Sequence, residues 1–537
     1  MLEKEKKPRK KKAPMIADWM SYLYQPILPF LKKIHIRREG PRGYNPEDIF
    51  LPQGYTAELV ASGFNAPDHC CFDDQGYCYV VESGHKIDAV PRVLKVDTRT
   101  GAWEPFFTLP QDQWIKGAAV TGACWHKGFL YVMNTDTLLR VGPDGKAEKI
   151  LTGLAGRGDH QSNHPIVGPD EKIYFGAGCA TNCGVVGADN FGFEWLTKFP
   201  DFSDVPAKDI TLVGRNYKAR NVLGDIREIV QTGAFVPFGT PTEPGQIIPG
   251  NVKCNGAILR CDLDGSNLEV VAWGLRNPYG LAFREDGKLF ATEHGMDERG
   301  ARYVVDDPDD FYEIKEGEWY GWPDFASGIR LDDPYWGDGG QGREPLLAEF
   351  PNPNPPRPFT SFQTHVAANG FDFCRDAGFG FLGDAFVACF GDLAPVTTIT
   401  RAVTPAGFKV VRVDMKTHQV IDFAVNRMTG PASKLPHDGF ERPSHCQFGP
   451  DGALYVVDFG IIHIAPEAGA IRQQVGTGSL WRIRRTGRSQ GLAPRKPVQV
   501  PLYLLQGLAL IAAFIGTALA AVWLWRKLRS GTGKKKR

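Results

Sequence analysis

Six copies of one strand-turn-strand pattern predict an all-β fold, a six-bladed β-propeller. A long uncharged segment after the last copy predicts a C-terminal transmembrane helix. In the clearest copy, apolar runs at 280–283 and 288–292 flank a turn that contains Asp-Gly, a strong hairpin signal. The other copies lie at 72–82, 125–133, 167–176, 373–388 and 448–458. Repeats of this size cannot bury their faces alone, so we expect the copies to stack around a common axis.

Each copy is followed by a further apolar run, which we expect to form the next strand of the same blade. These runs lie at 92–97, 138–141, 257–262, 310–315, 408–414 and 480–485. Two connections, 176–256 and 322–365, are much longer than a turn, and such loops within a compact domain are commonly functional. The repeat therefore assigns residues 51–485 to one propeller.

The flanking segments differ in composition from the repeats. Residues 1–50 form a basic, partly amphipathic leader, 486–497 a Pro/Arg linker and 526–537 a basic tail. The segment 498–525 carries no charged residue, ends with Trp523 and Trp525, and exceeds the roughly 20 residues needed to cross a bilayer. We therefore expect a single-pass protein of the cell membrane whose basic ends contact anionic lipid. Basic residues flank the segment on both sides, so charge does not predict its orientation.

Charge and cysteine content exclude two classes of protein. The formal net charge is +1, which argues against a nucleic-acid partner. Eleven cysteines are present without a C-x-x-C-H motif, which excludes covalently attached haem. Cys179 and Cys183 flank A-T-N, and both a local disulfide and a metal-binding pair are compatible with that spacing.

Polar residues precede the first strand of each repeat, and we expect them to gather at one end of the central channel. They lie at 68–69, 120–121, 158–164, 276–277, 365–369 and 441–445. A histidine accepts a hydroxyl proton near neutral pH, and arginine or asparagine stabilises negative charge on an oxygen. This combination predicts a catalytic site for proton abstraction.

Four motifs resemble the glucose/sorbosone dehydrogenases, which use pyrroloquinoline quinone (PQQ) and calcium. They are G-D-H-Q-S at 158–162, G-L-R-N-P-Y-G-L-A-F at 274–283, T-E-H-G-M-D-E at 292–298 and Y-G-W-P at 320–323. The resemblance implies a six-bladed propeller that oxidises a sugar or other alcohol by hydride transfer to the quinone. It also favours an extracytoplasmic propeller, whose electrons pass to an acceptor such as a quinone or a cytochrome.

The resemblance also implies roles for individual residues. His160 matches the general base, and Arg276 and Asn277 match the residues that hold the quinone oxygens beside the reacting atoms. Arg442 matches an arginine that pairs with PQQ carboxylates. The implied calcium ligands are the backbone carbonyls of Gly295 and Met296, with the carboxylates of Asp297 and Glu298 nearby.

Two departures from the family pattern keep alternative functions open. Ser444 stands where the family has a second arginine, and Gly391-Asp392 where it has a lysine; Lys409, His365 or Lys434 would have to compensate. One alternative is a cofactor-free binding propeller. The other is a calcium-dependent lactonase-type hydrolase that uses Asn277 and Asn369. The favoured interpretation is a membrane-anchored PQQ-dependent dehydrogenase.

Overall fold

A computed structural model describes residues 42–85, 89–116, 118–192, 194–336, 342–394, 397, 405–465 and 470–487. Within these ranges, six antiparallel sheets of four or five strands form the six blades, so the predicted all-β propeller is confirmed. The six repeat hairpins and their six following strands all lie where the sequence predicts them.

The strands of each blade follow one another from the innermost to the outermost. Blades 1 and 2 contain Pro67–Phe72, Cys78–Glu82, Arg92–Val96 and Trp103–Thr108, then Val120–His126, Phe129–Asn134, Thr137–Val141 and Ala147–Thr152. Blades 3 and 4 contain Ile166–Val167, Ile173–Ala177, Ala257–Cys261 and Glu269–Trp273, then Pro278–Phe283, Leu289–Glu293, Asp310–Glu313 and Thr360–Ser361. Blades 5 and 6 contain Ala368–Phe373, Ala385–Cys389, Lys409–Val413, Val420–Asn426 and Ile49–Phe50, then Pro443–Phe448, Leu454–Asp458, Gly478–Arg485 and Tyr55–Phe64.

The second strand of each blade is buried between neighbouring blades. In Cys78–Glu82, Leu289–Glu293, Ala385–Cys389 and Leu454–Asp458, every residue is buried. Burial on both faces explains why these runs are mostly apolar and do not alternate with polar residues, although three of them end in an acidic residue. The packed blades form the core, and their innermost strands line the central channel.

The ring closes through blade 6, which combines strands from both ends of the propeller. Its outermost strand, Tyr55–Phe64, pairs antiparallel with Gly478–Arg485, and Tyr55 lies opposite Arg485. Ile49–Phe50 adds a fifth strand to blade 5 in the same way. The sequence repeats do not reveal either pairing.

Two long inserts leave the blades where the sequence places them. Residues 178–256 join the second and third strands of blade 3, and 314–359 join the third and fourth strands of blade 4. The first insert contains the helices Asp189–Gly192 and Trp195–Lys198 and the paired strands Ile210–Thr211 with Ile247–Ile248 and Tyr217–Arg220 with Ile229–Thr232. The second contains Phe325–Ala326 paired with Ile329–Arg330 and the 3₁₀ turn Pro334–Trp336. The remaining elements are the strands Ile462–Ala465 and Ala470–Gln473 and the 3₁₀ turns Pro46–Asp48, Gln111–Gln113 and Ala432–Lys434.

Several sequence predictions fall wholly or partly outside the described residues. The predicted transmembrane segment 498–525, the basic tail 526–537, most of the leader and nearly all of the linker lie there. In the part of the chain that the structure describes, no helix has the length and apolar character needed to span a bilayer.

All eleven cysteines are described, and all are free thiols. Cys179 and Cys183 are free thiols in buried positions, so the structure contains no disulfide between them. Neither belongs to a group of three or more metal-ligand side chains among the described residues.

Candidate active site

A cavity of about 260 Å³ lies where the innermost strands begin. One part of its wall is polar and includes His160, Arg276 and Asn277. Another part is apolar and is formed by Trp195, Phe390, Phe459, Ile462 and Ile471. The predicted clustering of polar residues from several blades is therefore present for these side chains.

His160 is held in one tautomer. Its Nδ1 lies 2.9 Å from the carbonyl oxygen of Cys179. A carbonyl only accepts, so Nδ1 carries the hydrogen and Nε2 keeps a lone pair. Burial, together with the nearby charges of Arg276 and Arg299, holds the pKa of His160 well below its usual value. The side chain is therefore uncharged at neutral pH and competent to accept a proton.

The approach of His160 to Asn277 depends on a glycine. A Cβ atom at Gly178 would lie 2.4 Å from the Cβ of His160 and 2.4 Å from Oδ1 of Asn277. Both neighbours would have to move to accommodate any other residue. Gly178 thus allows blades 3 and 4 to place these two side chains on one wall.

Arg276 is buried and oriented by three groups. Its guanidinium donates to Oδ1 of Asn182 at 2.8 Å and to the Asn182 carbonyl at 3.2 Å. It also forms an ion pair with Asp297 at 3.1 Å. The carboxyl of Glu293 accepts the backbone N–H groups of Arg276 and Asn277 and so fixes this turn before blade 4.

A line of hydrogen bonds connects blades 3, 4 and 5 beneath the polar wall. Asn163 donates to Oδ1 of Asn277 at 3.0 Å. The Asn277 amide lies 3.0 Å from Nδ1 of His294, and Nε2 of His294 lies 3.0 Å from Oδ1 of Asn369. His294 lines the cavity but was missed from the sequence, although it stands within the motif T-E-H-G-M-D-E.

Arg299 is a second buried cation that the sequence did not identify as functional. It pairs with Asp159 and Asp189, each at 2.7 Å, and with Asp297 at 3.0 Å. Its sequence signal is weak, because an arginine after two acidic residues in a loop is usually exposed. At this wall three carboxylates face two guanidinium groups, Arg276 and Arg299.

The four residues predicted to bind calcium lie together but differ in availability. No described group donates a backbone hydrogen bond to the carbonyl oxygen of Gly295 or Met296. The carboxylate of Asp297 is committed to two arginines, which lower its pKa despite the opposing effect of burial. Glu298 faces His365, with 3.6 Å between Oε1 and Nε2. Calcium binding at these residues stays a prediction.

Arg442 does not lie on the cavity wall. Its guanidinium lies between the rings of Phe390 and Phe408, at 5.1 and 4.9 Å. It donates to the carbonyls of Gly391 and Asp392 at 2.9 and 3.0 Å. Phe390, Gly391 and Asp392 line the cavity, and Arg442 contacts all three. Its contact with PQQ carboxylates stays a prediction.

The suggested compensating cations are mostly elsewhere. Lys409 pairs with Asp422 at 2.6 Å near the protein surface, and Lys434 does not line the cavity. Of the three suggested residues, His365 alone is on the wall. Ser444 is buried and donates to the carbonyl of Pro67 at 3.2 Å.

Three of the histidines expected at this site lie apart from it. His69, His164 and His445 form a separate buried group, and none of them lines the cavity. The prediction that all polar residues before the first strands converge on one site is therefore wrong for these three.

Comparison with known proteins shows which family part of the sequence resembles. Residues 245–460 match the family model described as Glucose / Sorbosone dehydrogenase. The resemblance to the glucose/sorbosone dehydrogenases is confirmed. Over 207 residues the chain is 27% identical to quinoprotein glucose dehydrogenase B of Acinetobacter calcoaceticus, and the match covers 38% of this chain and 33% of that protein. The chain thus aligns with about one third of this curated relative.

Solved structures share the fold. The holo form of the pyranose dehydrogenase PQQ domain from Coprinopsis cinerea is 15% identical, with a TM-score of 0.50, over 84% of this chain and 99% of that one. The calcium structure of a Trichoderma reesei carbohydrate-active enzyme of family AA12 is also 15% identical, with a TM-score of 0.50, over 83% and 99%. At this identity the likeness establishes the propeller fold alone.

Proposed function

We propose that the chain is a PQQ-dependent dehydrogenase that oxidises a hydroxyl group of a sugar or another alcohol. The observation that carries the proposal is His160, whose Nδ1 hydrogen is bound to the Cys179 carbonyl and whose Nε2 is unprotonated. It lines one cavity with Arg276 and Asn277. The family match over 245–460 supports the same conclusion.

The cavity residues fit PQQ best when a divalent cation accompanies it. The apolar wall suits a planar ring, the guanidinium group of Arg276 suits a quinone oxygen, and that of Arg299 suits a carboxylate. Asp159, Asp297 and Asp309 line the same cavity, however, and oppose a molecule with three carboxylates. A calcium ion would offset this charge, and the carbonyls of Gly295 and Met296 are oxygen ligands of the kind that calcium prefers.

Within this proposal the chain supplies the general base and the charged groups that shift the pKa of that base. Bound PQQ supplies the quinone that accepts a hydride from the substrate carbon. His160 takes the hydroxyl proton at Nε2, and Arg276 and Asn277 stabilise negative charge on an adjacent oxygen. Arg276 and Arg299 also lower the pKa of His160, so an anionic group bound to these arginines makes His160 a stronger base.

The proposal includes a membrane location. An uncharged run at 498–525 between basic segments supports a single C-terminal anchor that contacts membrane lipid. We propose an extracytoplasmic propeller from the family resemblance. The electrons would pass from the reduced cofactor to a membrane quinone or a cytochrome.

Replacement of His160 tests the proposed base. We expect His160→Gln to lower kcat by about 10²–10⁴-fold, the usual contribution of a positioned base, while PQQ binding remains. The matched control is His126→Gln, which changes a surface histidine that contacts Glu171 at 3.2 Å. Unchanged turnover in His160→Gln, measured with a dye acceptor, would exclude this residue as the base.

One observation favours a second candidate, the calcium-dependent lactonase-type hydrolase. Five aspartates line the cavity, Asp68, Asp159, Asp297, Asp309 and Asp392. A metal held near such groups polarises a carbonyl for attack by water. Lactone hydrolysis that requires calcium and no electron acceptor would select this candidate over the dehydrogenase.

A further inference from the structure

Three histidines meet in the central channel outside the proposed active site. His69, His164 and His445 come from blades 1, 3 and 6, and each offers a ring nitrogen within 4.8 Å of the others. Their exposed fractions are 4%, 1% and 3%. The ring centroid of His69 lies 3.8 Å from that of His445 and 4.3 Å from that of His164. Among the described residues this is the sole group of three or more potential metal ligands.

The three histidines occupy the same register position in their blades. In blades 1 and 6 the innermost strand begins at Pro67 and Pro443, and the histidine follows two residues later, after a bulge. In blade 3, Ser162 bridges to Ala177, and His164 again follows two residues later. The matched positions of the other three blades are all glycines, Gly122, Gly280 and Gly370.

Two of these glycines make room for the imidazole rings. A Cβ atom at Gly122 would lie 2.4 Å from the Cβ of His164 and 2.8 Å from the Cγ of His69. At Gly370 it would lie 2.0 Å from the Cδ2 of His445. Of the six matched positions, three carry histidines and three carry glycines. A larger residue at Gly122 or Gly370 would displace the histidine side chains.

Two of the imidazole nitrogens lack the partners that buried polar atoms normally have. Nδ1 of His69 and Nδ1 of His164 are buried, and no hydrogen-bond partner for either exists among the described residues. Nδ1 of His445 lies 3.7 Å from Sγ of Cys70. Burial lowers the pKa of His164 to about 4 and shifts the pKa of each of the other two well below its usual value. The rings are thus uncharged and retain lone pairs.

We infer that this group binds one divalent transition-metal ion, with zinc as the representative ion. Imidazole nitrogen suits zinc, copper, nickel and iron, whereas calcium prefers oxygen ligands. Zinc–nitrogen bonds of about 2.0–2.1 Å in tetrahedral geometry place ligand nitrogens about 3.4 Å apart. Nitrogens that now lie within 4.8 Å of one another would therefore approach by at most about 1.4 Å on binding. Three histidines leave a fourth position for water. This site is separate from the calcium predicted at 295–298.

A bound ion would connect three blades through the channel. Blades 6 and 1 are the two that adjoin the ring closure, and His445 and His69 bring their innermost strands together. Binding that is specific to the folded state stabilises that state. We therefore expect the metal to raise the Tm of the protein.

Metal titration of the full-length chain tests the site without PQQ. After chelator treatment and dialysis, we expect calorimetry to show one high-affinity Zn²⁺ per chain and a rise in Tm. Co²⁺ should give the visible absorption bands of a four-coordinate nitrogen site. His69→Gln and His164→Gln should each weaken binding beyond the ~10–100-fold typical of losing a hydrogen-bond partner of a metal ligand, because each removes a ligand itself.

Two controls separate this site from other histidines. His126→Gln removes a surface imidazole and should keep the full stoichiometry. His160→Gln removes the imidazole of the candidate active site and should keep the Co²⁺ bands. Absence of Zn²⁺ and Co²⁺ binding by the folded wild-type chain would overturn the inference, as would wild-type affinity in both ligand variants. If a ligand variant does not fold, the wild-type stoichiometry and Co²⁺ spectrum decide the question, and neither depends on PQQ activity.

Discussion

Glu293 illustrates how one buried carboxyl group organises the candidate active site. Its Oε1 accepts the N–H groups of Arg276 and Asn277. Its Oε2 is buried without a hydrogen-bond partner among the described residues. Burial is the largest influence on this group and raises its pKa to about 8. The side chain is therefore protonated over most of the neutral range.

This raised pKa predicts how stability depends on pH. The usual pKa is 4.5 and the folded-state pKa about 8, so the contribution of Glu293 is complete below pH 4.5 and is lost as pH rises toward 8. Glu293→Gln retains the two accepted hydrogen bonds but does not titrate. We expect its free energy of unfolding, measured with denaturant, to fall less between pH 5 and pH 8 than that of the wild type. The difference should be on the order of a few kcal/mol, since one pKa unit corresponds to about 1.4 kcal/mol.

Other buried carboxyl groups also contribute to the pH dependence of the free energy of unfolding. Asp68 and Asp310 each have a pKa raised to about 7, so a residual slope of the same sign should remain in the variant. Identical slopes in the variant and the wild type would mean that Glu293 is ionised in the folded protein at neutral pH.

At the residue scale the sequence predicts which residues stand at the start of an innermost strand. It predicts less well which of their side chains reach the cavity wall. His160, Arg276 and Asn277 share a wall because each precedes or opens an innermost strand. Arg442 has an equivalent position in blade 6, yet Phe390 and the Gly391-Asp392 turn cover it. Arg299 and Glu293 were missed because burial of a charged residue depends on partners that are distant in sequence, such as Asp159 and Arg276.

At the element scale the two long inserts form a connected unit beside the cavity. Leu212 of the first insert pairs with Leu347 of the second. Arg302 donates to the carbonyl of Cys183 at 3.1 Å and pairs with Asp324 at 2.7 Å. Asp324 also accepts the N–H groups of Leu346 and Leu347. The side chains of Arg302 and Asp324 are almost completely buried.

Removal of Arg302 should destabilise this unit. We expect Arg302→Met to cost about 3–5 kcal/mol in the free energy of unfolding, because Asp324 would remain buried without its counter-ion. The double variant with Asp324→Asn should lose less, since Asn still accepts the N–H groups of the second insert. The control is Arg227→Met, which removes an exposed pair with Asp225 and should change stability by about 1 kcal/mol or less. Equal losses for Arg302→Met and Arg227→Met would show that the buried pair does not hold the inserts.

The sequence predicts where the inserts occur but not what they contain. Their positions follow from gaps in the strand repeat, between 177 and 257 and between 313 and 360. Their internal order depends on non-local contacts such as Leu212 with Leu347, for which no local periodicity exists.

At the scale of the whole molecule, the number of blades can be predicted from short segments of sequence. The strand pairing that closes the ring cannot. Each blade contains a hairpin whose turn chemistry is visible in a few adjacent residues. The closing strand Tyr55–Phe64 pairs with Gly478–Arg485, more than 400 residues later, and has no hairpin partner of its own. For that reason the six blades could be counted from the sequence but the pairing of the two ends could not.

Removal of the closing strand tests its contribution. A chain that begins at Asn65 lacks the outermost strand of blade 6, which leaves the edge of Gly478–Arg485 unpaired, and it also lacks Ile49–Phe50 of blade 5. Of the described strands, a chain that begins at Leu51 lacks Ile49–Phe50 alone, so the difference between these two chains measures the closing strand. For the chain that begins at Asn65 we expect a lower Tm, a less cooperative transition and faster amide exchange in 454–458 and 478–485.

A chain that begins at Arg42 keeps both strands and should match the full-length protein in these measurements. Matching Tm and exchange in the chains that begin at Asn65 and Leu51 would show that the closure contributes little.

The measurement that bears most directly on the whole account is a PQQ titration of the full-length chain, with and without calcium. The absorbance of the quinone is followed as a panel of sugars and alcohols is added together with a dye acceptor. The account predicts saturable PQQ binding that calcium strengthens, followed by quinone reduction and dye turnover with at least one substrate. Failure to bind micromolar PQQ in the presence of calcium would contradict it and would favour a cofactor-free binding propeller or the hydrolase.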